Sequence, residues 1–332
     1  MNDVADVSVV LAVRNGGADL LRAVETVLAQ SFGNLELIII DDGSTDGATN
    51  AVERIADPRL RVYHQAGAGL SASLNRGISL ARGRYIARQD HDDLALASRV
   101  EKQVSFLDAH PDYALVGTRS EIWVGDLPSG RFLDHPAEDA VLRFELLFDN
   151  PFVHSSVMIR RSALDDVGPY STDPARQPPE DYELWSRIAR KYRVANLPER
   201  LTIYREVPGS ISRASAAPFR EKLVLICAEN LAFATGHSAP DPIHFEIARF
   251  FHPGPGGRVT PSDAGSACRV LDQAARSIAG GKMAREIEVR LDRLKGEIRH
   301  HGRMQKPIFR RAWTAASRVK RGLSRFGLLG RP

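Results

Sequence analysis

Apolar runs alternate with segments in which apolar residues recur at helical spacing along the N-terminal part of the chain. The runs are rich in β-branched residues, and their regular alternation with helical segments predicts βαβ units and a parallel sheet flanked by helices. The predicted strands span residues 7–13, 35–40, 60–64 and 84–89. The predicted helices lie between them, around Leu20 to Leu28, near 47–56 and near 70–81.

Beyond residue 98 strands and helices follow one another less regularly. The predicted elements there are helices near 98–109, 137–148 and 180–191 and strands at 114–117, 120–124 and 155–159. A stretch rich in Pro and Gly at 208–218 predicts the end of this unit, and the segments after it are mainly helical. We therefore predict an α/β domain at 1–215, a helical extension at 216–298 and a tail at 299–332.

Four polar residues, Asp90, His91, Asp92 and Asp93, directly follow the predicted strand at 84–89. Carboxylates crowded at a strand end repel one another, so a cation usually compensates them. Residues two apart in an extended segment point to the same side, which lets Asp90 and Asp92 face one ligand together. The spacing therefore indicates a Mg²⁺ or Mn²⁺ ion that carries a diphosphate.

Polar residues also follow the neighbouring strands. Arg14 comes after the first strand, and Asp41 and Asp42 come after the second. Ligands of open parallel sheets bind beyond the carboxyl ends of the strands. We therefore expect these residues to gather with Asp90 and Asp92 on one rim of the sheet, although they lie far apart in sequence.

The composition is that of a soluble globular protein, with 43% hydrophobic and 26% charged residues in a chain of 332. Two cysteines argue against a disulfide framework or a cysteine-based zinc site. The N-terminus lacks the features of a signal peptide, and no apolar run approaches the roughly 18 residues of a spanning helix. These features predict a soluble, cytoplasmic protein.

The charge is concentrated at the C-terminus. Ten of the 45 Lys and Arg residues, and none of the 41 acidic residues, lie in the tail at 299–332. Because apolar residues are interleaved with these charges, we predict an amphipathic segment that lies peripherally on an anionic membrane surface. A solvated charged end is the alternative. We recognise no nucleic-acid-binding module in the sequence and expect no nucleic-acid partner.

Several of these stretches together resemble the family 2 glycosyltransferases, which have the GT-A nucleotide-sugar fold. The matching stretches are 9–15, 37–46, 69–77, 81–87, 90–103, 150–168 and 180–190. Their order and spacing carry the resemblance more than any one of them does. It implies an α/β, Rossmann-like GT-A fold with a mixed, mostly parallel sheet, a nucleotide-binding half at 1–110 and an acceptor-side half at 111–215.

The resemblance also implies a nucleotide-binding set. Asp42 looks like the carboxylate that accepts a hydrogen bond from the uracil N3–H, and Ala12 and Arg14 lie where the end of the family's first strand contacts the nucleotide. Asp90 resembles the ribose-side or diphosphate-side member of the family's Asp-x-Asp motif. Asp92 resembles its direct ligand to Mn²⁺ or Mg²⁺.

The catalytic groups follow in the same way. Asp181, at the start of the predicted helix at 180–191, resembles the catalytic base, and Glu180 beside it is its rival. His154 and Arg205 lie in stretches that border the diphosphate and the acceptor. The implied reaction is metal-dependent, inverting transfer of a sugar from a nucleotide-diphosphate sugar, first of all a UDP-sugar, to a hydroxyl. The expected acceptor is a saccharide or lipid-linked saccharide in polysaccharide or glycolipid biosynthesis.

Several of these residues also have purely structural interpretations. Asp42 is typical of a tight turn, Asp181 of a first helical turn, and His154 of a buried histidine with a hydrogen-bond partner. Arg99 is predicted to be a structural ion-pair partner, and Trp185 a packing residue.

Two other functions fit parts of the sequence. Residues 67–72 match the Gly-x-Gly-x-x-Ala form of the dinucleotide fingerprint and would indicate an NAD(P)-dependent Rossmann oxidoreductase. That fingerprint normally occupies the first βα turn, whereas two βα units precede it here. The second alternative is a catalytically inactive scaffold of the same fold. The Gln-x-x-Arg-Trp pattern of processive synthases is absent, so we expect transfer of a single sugar.

Overall fold

The computed structural model describes residues 5–207 and 217–304. The first strands are β1 (Val7–Val13), β2 (Leu35–Asp41), β3 (Leu60–His64) and β4 (Tyr85–Arg88), and the helices between them are α1 (Gly17–Leu28), α2 (Ala48–Val52) and α3 (Leu70–Leu80). The four strands pair in parallel in the order β3-β2-β1-β4. The predicted βαβ pattern is therefore confirmed.

The sheet continues beyond β4 with shorter and longer strands. These are β5 (Leu94–Ala95), β6 (Tyr113–Val124), β7 (Leu127–Leu133), β8 (Met158–Arg160) and β9 (Arg193–Glu206). The helices of this part are α4 (Arg99–Ala109), α5 (Asp139–Glu145), α6 (Arg161–Val167) and α7 (Glu180–Lys191). The strand order beyond β4 is β8-β6-β9-β5, with β7 forming a hairpin on β6. Because β8 runs antiparallel to both its neighbours while β6 and β9 are parallel, the sheet is mixed, as predicted.

Two long strands differ from the prediction. The separate strands expected at 114–117 and 120–124 form the single strand β6, because pairing with β9 continues through register shifts near Thr118 and Arg119. The strand β9 was not predicted, since its middle is polar and exposed. The hairpin strand β7 was missed for the same reason, because most of its residues are exposed and no alternation marks it.

Other elements are shorter than predicted. The helices expected at 47–56 and 137–148 reduce to α2 and α5. The strand expected at 155–159 begins as a 3-10 turn, His154–Ser156, and becomes β8 only at Met158. Ser155 therefore belongs to a turn next to the sheet rather than to a strand within it.

Both faces of β1 and β2 are buried, which explains why these strands read as continuous apolar runs. Val10 packs with Ile38 and Ile40 on one face, and Val9 packs with Leu37 in the cluster on the other face. Helix α3 approaches the first face closely, because a Cβ on Gly77 would overlap Val10 Cγ1. Trp185 of α7 is fully buried in the same cluster as Val10, so its predicted packing role is confirmed.

Within the described residues, four helices follow the sheet: α8 (Ala217–Ala234), α9 (Pro242–Phe251), α10 (Ala264–Ala279) and α11 (Arg285–Met304). The described residues divide into two compact units after Asn230, within α8. In the second unit α10 and α11 each bury one apolar stripe, and Asp263 caps the start of α10 by accepting from the Gly265 N–H at 2.8 Å. The predicted boundary at 215 and most of the basic tail lie outside the described residues.

Within residues 5–207 and 217–304, we find no helix with the combined length and hydrophobicity of a membrane-spanning segment.

Candidate active site

The carboxyl ends of three parallel strands bring the predicted polar residues to one edge of the sheet. Val13 pairs with Asp41 across β1 and β2, so Arg14 and Asp42 follow adjacent strand ends. Val10 pairs with Arg88 across β1 and β4, so the residues after Arg88 emerge at the same edge. The gathering of these residues on one rim, which the sequence predicts, is therefore observed.

Asp42 is held by donors from the segment before α3. Its carboxylate accepts hydrogen bonds from Gln65 Nε2 at 2.6 Å, from the Ala68 N–H at 2.8 Å and from the Gly69 N–H at 2.9 Å. Burial opposes its ionisation, but these hydrogen bonds outweigh burial and lower the pKa of Asp42. Asp42 is thus a fixed anion with defined lone pairs.

The glycine-containing segment at 67–72 supplies two backbone hydrogen-bond donors to the Asp42 carboxylate. Gly69 has φ +89°, a conformation that favours glycine, and it precedes the first turn of α3. Arg14 is exposed and lies close to this segment. A Cβ placed on Gly67 would be 3.6 Å from Arg14 Nη1. The Gly-x-Gly pattern therefore positions donors for Asp42, which explains it without a dinucleotide. Ala12 lies buried in β1, on the sheet face of Val10.

A buried arginine compensates the first carboxylate of the Asp90–Asp93 tetrad. Arg88 is 3% exposed, and its guanidinium contacts Asp90 Oδ1 and the carbonyl oxygen of Gln89. Burial opposes the ionisation of Asp90, but the charge of Arg88 and a hydrogen bond from Ser155 overcome it and lower the pKa of Asp90 to about 2. Asp90 is therefore ionised at every physiological pH.

The Ser155 hydroxyl joins two carboxylates of the tetrad. Its oxygen lies 2.6 Å from Asp90 Oδ2 and also contacts Asp93 Oδ2. A hydroxyl has one proton and can donate to only one of them. Burial and the charges of Asp90 and Asp92 raise the pKa of Asp93 well above its usual range. The Ser155 hydroxyl therefore joins an ionised Asp90 to an Asp93 whose charged form is disfavoured by burial and by its neighbours.

Asp92 has the free carboxylate of the tetrad. In the part of the chain that the structure describes, no other residue donates a hydrogen bond to its side chain. Burial and the charge of Asp90 raise the pKa of Asp92, so a cation placed there would relieve a real repulsion.

The donor set at Asp92 fits a divalent cation that arrives with its ligand. Carboxylate oxygens suit Mg²⁺ or Mn²⁺, and an ion shared with phosphates needs only one or two protein carboxylates. Within residues 5–207 and 217–304, no group of three or more His, Cys, Asp or Glu side chains could hold a metal by itself. A cation shared between Asp92 and a diphosphate is compatible with both observations.

Two further arginines lie behind the tetrad. Arg99 is fully buried in α4 and contacts the carbonyl oxygen of Ser155; burial lowers its pKa to about 10, while the charge of Asp93 acts in the opposite direction. Arg205, at the end of β9, is 4% exposed. Its backbone N–H donates to Asp93 at 2.8 Å, and its guanidinium donates to the Asp92 carbonyl oxygen at 3.2 Å.

Two carboxylates occupy the start of α7. Asp181 accepts hydrogen bonds from the Asn150 side-chain amide and the Tyr182 N–H, at 2.8 and 2.7 Å. Burial and the neighbouring charge of Glu180 raise the pKa of Asp181 to about 7. Burial likewise raises the pKa of Glu180, and the charge of Asp90 reaches both residues. The tetrad and the start of α7 therefore belong to one electrostatic site.

His154 is held between two aromatic residues of this site. Its Nε2 lies 2.9 Å from the Tyr170 hydroxyl, and its ring centroid lies 5.9 Å from that of Trp185. Burial, reinforced by the charge of Arg88, lowers the pKa of His154 to about 3. His154 is therefore neutral at physiological pH and has a hydrogen-bond partner within the fold.

Sequence reasoning missed the residues that hold the carboxylates in place: Arg88, Ser155 and Asn150. One signal was available for Arg88, because an arginine that ends an otherwise apolar strand requires a buried anion. No local signal marks the other two, since Ser155 lies 65 residues from Asp90 and Asn150 lies 31 residues from Asp181.

Comparison with known proteins yields one family. A model of glycosyl transferase family 2 matches residues 8–168. The putative glycosyltransferase EpsE of Bacillus subtilis (strain 168) is 34% identical over 232 residues, which cover 68% of this chain and 82% of EpsE. The amylovoran biosynthesis glycosyltransferase AmsE of Erwinia amylovora is 30% identical over 185 residues, which cover 54% of this chain and 68% of AmsE.

Solved structures share the fold at lower identity. S. aureus TarS 1–349 in complex with UDP-GlcNAc superposes with a TM-score of 0.58 at 16% identity, covering 87% of this chain and 83% of that one. The mannosyltransferase PcManGT from Pyrobaculum calidifontis, in complex with GDP-Man and Mn²⁺, has a TM-score of 0.51 at 18% identity, covering 93% and 83%. These likenesses concern the GT-A fold alone.

Proposed function

The chain belongs to glycosyl transferase family 2 and is a glycosyltransferase, and from this premise we propose that it transfers one sugar from a UDP-sugar to a hydroxyl acceptor with inversion. The observation that carries the proposal is the contrast between two parts of one site, which are an ionised Asp90 beside the free Asp92 and an Asp181 whose pKa is about 7. The first pair suits a cation with a diphosphate, and the second residue suits a base.

We propose that Asp42 and Arg14 bind the nucleotide. Asp42 is ionised and rigid, so a remaining lone pair can accept a base N–H without reorganisation. Arg14 is exposed beside it and can donate to a phosphate or ribose oxygen. Ala12 lies one residue before the end of β1, next to the strand end that carries Arg14.

We propose that Asp92 is the protein ligand of a Mn²⁺ or Mg²⁺ ion and that Asp90 faces the ribose or diphosphate side. When bound, the ion stabilises the negative charge that develops on the leaving diphosphate. Arg88 keeps Asp90 ionised, and Ser155 fixes its carboxylate orientation. PcManGT was solved with GDP-Man and Mn²⁺, which supports an ion of this kind in the fold.

We propose that Asp181 is the catalytic base. The acceptor oxygen forms a bond to C1 of the donor sugar, the C1–O bond to the diphosphate breaks, and the hydroxyl proton passes to Asp181. A base acts best when its pKa lies near the working pH, as that of Asp181 does. Attack opposite the leaving group inverts the anomeric centre. Glu180 is the alternative base, because its pKa is also raised.

His154 and Arg205 complete the proposed site. His154 stays neutral and positions the Tyr170 hydroxyl on the acceptor side. Arg205 acts on the diphosphate side through the Asp92 carbonyl oxygen that it contacts.

The proposed acceptor is a saccharide or lipid-linked saccharide of polysaccharide or glycolipid biosynthesis, as the name of AmsE suggests for that protein. We further propose that the chain is cytoplasmic and that the basic tail at 299–332 holds it at an anionic membrane surface, close to a lipid-linked acceptor.

A thermal-shift screen with UDP, GDP, dTDP and NAD, each with and without Mn²⁺, tests the proposal. A ligand at 100 times its Kd stabilises a protein by about 2.7 kcal/mol, which raises Tm by several degrees. We expect a shift with UDP that requires Mn²⁺ and that Asp92→Ala abolishes. Slow hydrolysis of a UDP-sugar then distinguishes an enzyme from an idle scaffold. A shift with NAD alone would overturn the proposal.

A further inference from the structure

Arg205 ties three separate segments of the first unit together. Its guanidinium donates to Asp19 of α1 at 2.7 Å, to Asp126 in the β6–β7 turn at 2.7 Å, to the Gly125 carbonyl oxygen at 3.0 Å and to the Asp92 carbonyl oxygen at 3.2 Å. We call Arg205 with its two carboxylate partners the Arg205 clasp. The clasp fixes the loop that carries Asp92 against a helix and a hairpin turn.

The clasp leaves the Arg205 guanidinium with little remaining capacity to donate hydrogen bonds to a ligand. Four of the five guanidinium N–H groups already have acceptors, and the side chain is 4% exposed. The charge is also compensated, because Asp19 and Asp126 both form ion pairs with Arg205, and Arg22 contacts the same two carboxylates. A diphosphate that approached this guanidinium would meet two carboxylates of its own sign.

The same residue holds the tetrad through its backbone. The Arg205 N–H donates to Asp93 Oδ1 at 2.8 Å, while its side chain holds the carbonyl oxygen of the preceding residue, Asp92. Two consecutive residues of the loop are thus fixed from one position on β9. Such support from residues behind a metal ligand sets the ligand's orientation.

We propose that Arg205 is a positioning residue of the Asp92 loop and that Asp19 and Asp126 share this role, so that the clasp sets the affinity for a metal-bound nucleotide without touching it. The inference rests on the proposed function, since that assigns the cation to Asp92. It adds α1 and the β6–β7 turn to the elements on which the site depends.

Neutralising the two carboxylates separates a clasp from a direct phosphate contact, because the two models predict opposite signs. If Arg205 holds the loop, Asp19→Asn and Asp126→Asn weaken the clasp and weaken UDP binding in the presence of Mn²⁺, by about tenfold or more. If Arg205 instead binds phosphate, these substitutions free its guanidinium and leave the affinity unchanged or higher. Isothermal titration of each full-length variant with UDP, with and without Mn²⁺, measures the difference.

Three further measurements complete the design. Arg205→Lys keeps the charge but loses the fork, and we expect it to weaken Mn²⁺-dependent UDP binding and to show no additional loss in combination with Asp19→Asn. Arg131→Gln removes a neighbouring exposed ion pair with Glu206 and should leave the affinity unchanged. Melting temperatures identify variants that lose the fold rather than the clasp.

Failure of the clasp and failure of the proposed function give different results. Wild-type protein that binds none of UDP, GDP or dTDP with Mn²⁺ contradicts the proposed function. Wild-type protein that binds one of them, together with Asp19→Asn and Asp126→Asn variants of equal or higher affinity, overturns only the clasp.

Discussion

The tetrad and the start of α7 are both carboxylate clusters, but their surroundings differ in charge. The tetrad lies among arginines: Arg88 contacts Asp90, Arg99 lies buried behind it, and Arg205 holds the loop from β9. These cations oppose the cost of burying several carboxylates at one strand end. The result is a set of buried anions in which Asp92 accepts no side-chain hydrogen bond from another described residue.

At the start of α7 the donors are neutral. Within the described residues, the Asp181 carboxylate accepts hydrogen bonds only from the Asn150 amide and the Tyr182 N–H, and Glu180 adds a like charge beside it. Burial and this like charge raise the pKa of Asp181 to about 7, whereas the pKa of Asp90 falls to about 2 beside Arg88.

The comparison shows how one residue type can do two kinds of work in a single site. An aspartate beside a buried guanidinium stays ionised and can organise a cation and a diphosphate. An aspartate beside an amide and a second carboxylate can gain and lose a proton near neutral pH. Changing either set of neighbours should therefore change binding in one case and proton transfer in the other.

The largest effect should come from Asp181, the proposed base. Asp181→Asn keeps the shape of the side chain but removes the base, so kcat should fall by roughly 10²- to 10⁴-fold while UDP binding with Mn²⁺ stays unchanged. Steady-state kinetics with a UDP-sugar and titration with UDP measure the two quantities separately.

Glu180→Gln is the matched control, because the two carboxylates are neighbours on the same helical turn. It should lower kcat far less. If Glu180→Gln is the more damaging change, the base is Glu180, and Asp181 is not the group that takes the proton.

The sequence predicted the rim because each part of it is local. A β-branched run followed by Arg14, by Asp42 or by Asp90 is visible within a few residues, and parallel strands bring such ends together whatever their separation. The resemblance to a family then supplied roles for these positions. Charge, spacing and strand direction were sufficient for this much.

The supporting residues could not be predicted, because their contacts are long-range. The Ser155 hydroxyl lies within hydrogen-bonding distance of Asp90 because residues 154–156 form a 3-10 turn next to β4, where a strand was expected. Arg205 contacts Asp92 from β9, a strand that was not predicted because its middle is polar. Single-sequence patterns report burial and period, whereas these pairs depend on tertiary contacts.

The next largest effect tests Arg88, the buried cation beside Asp90. Arg88→Met leaves Asp90 without its buried partner, and breaking such a pair typically costs about 3–5 kcal/mol of stability. UDP binding with Mn²⁺ should weaken by about 10- to 100-fold, the usual effect of a residue behind a metal ligand. Arg88→Lys keeps the charge with fewer donors and should give an intermediate result even if the Met variant does not fold.

Arg84 provides the control for that experiment. It lies just before β4, is half exposed and pairs with Asp108, so Arg84→Met should change stability by less than about 1 kcal/mol and leave UDP affinity as it was. Equal effects from the Arg84 and Arg88 variants would mean that burial of the guanidinium does not matter for the tetrad.

The smallest predicted effect concerns Asn150, the neutral donor to Asp181, and is a change in the pH dependence of kcat. A base works when ionised, so the rate should rise with pH through the pKa of Asp181, about 7. Asn150 donates to the carboxylate and favours its charged form. Asn150→Ala should therefore move the acid limb of the kcat profile upward by about one pH unit, since a hydrogen bond to a charged group contributes about 1.5 kcal/mol or more.

Two comparisons make this last test specific to positioning of the base. Glu180→Gln removes the like charge and should move the same limb downward, so the two variants shift the profile in opposite directions around the wild type. The ionised plateau should change little in either, because Asp181 itself is intact. A uniform loss of rate at every pH in Asn150→Ala, with the limb unmoved, would mean that the amide only supports the fold. Asp181 would then owe its pKa to burial and to Glu180 alone.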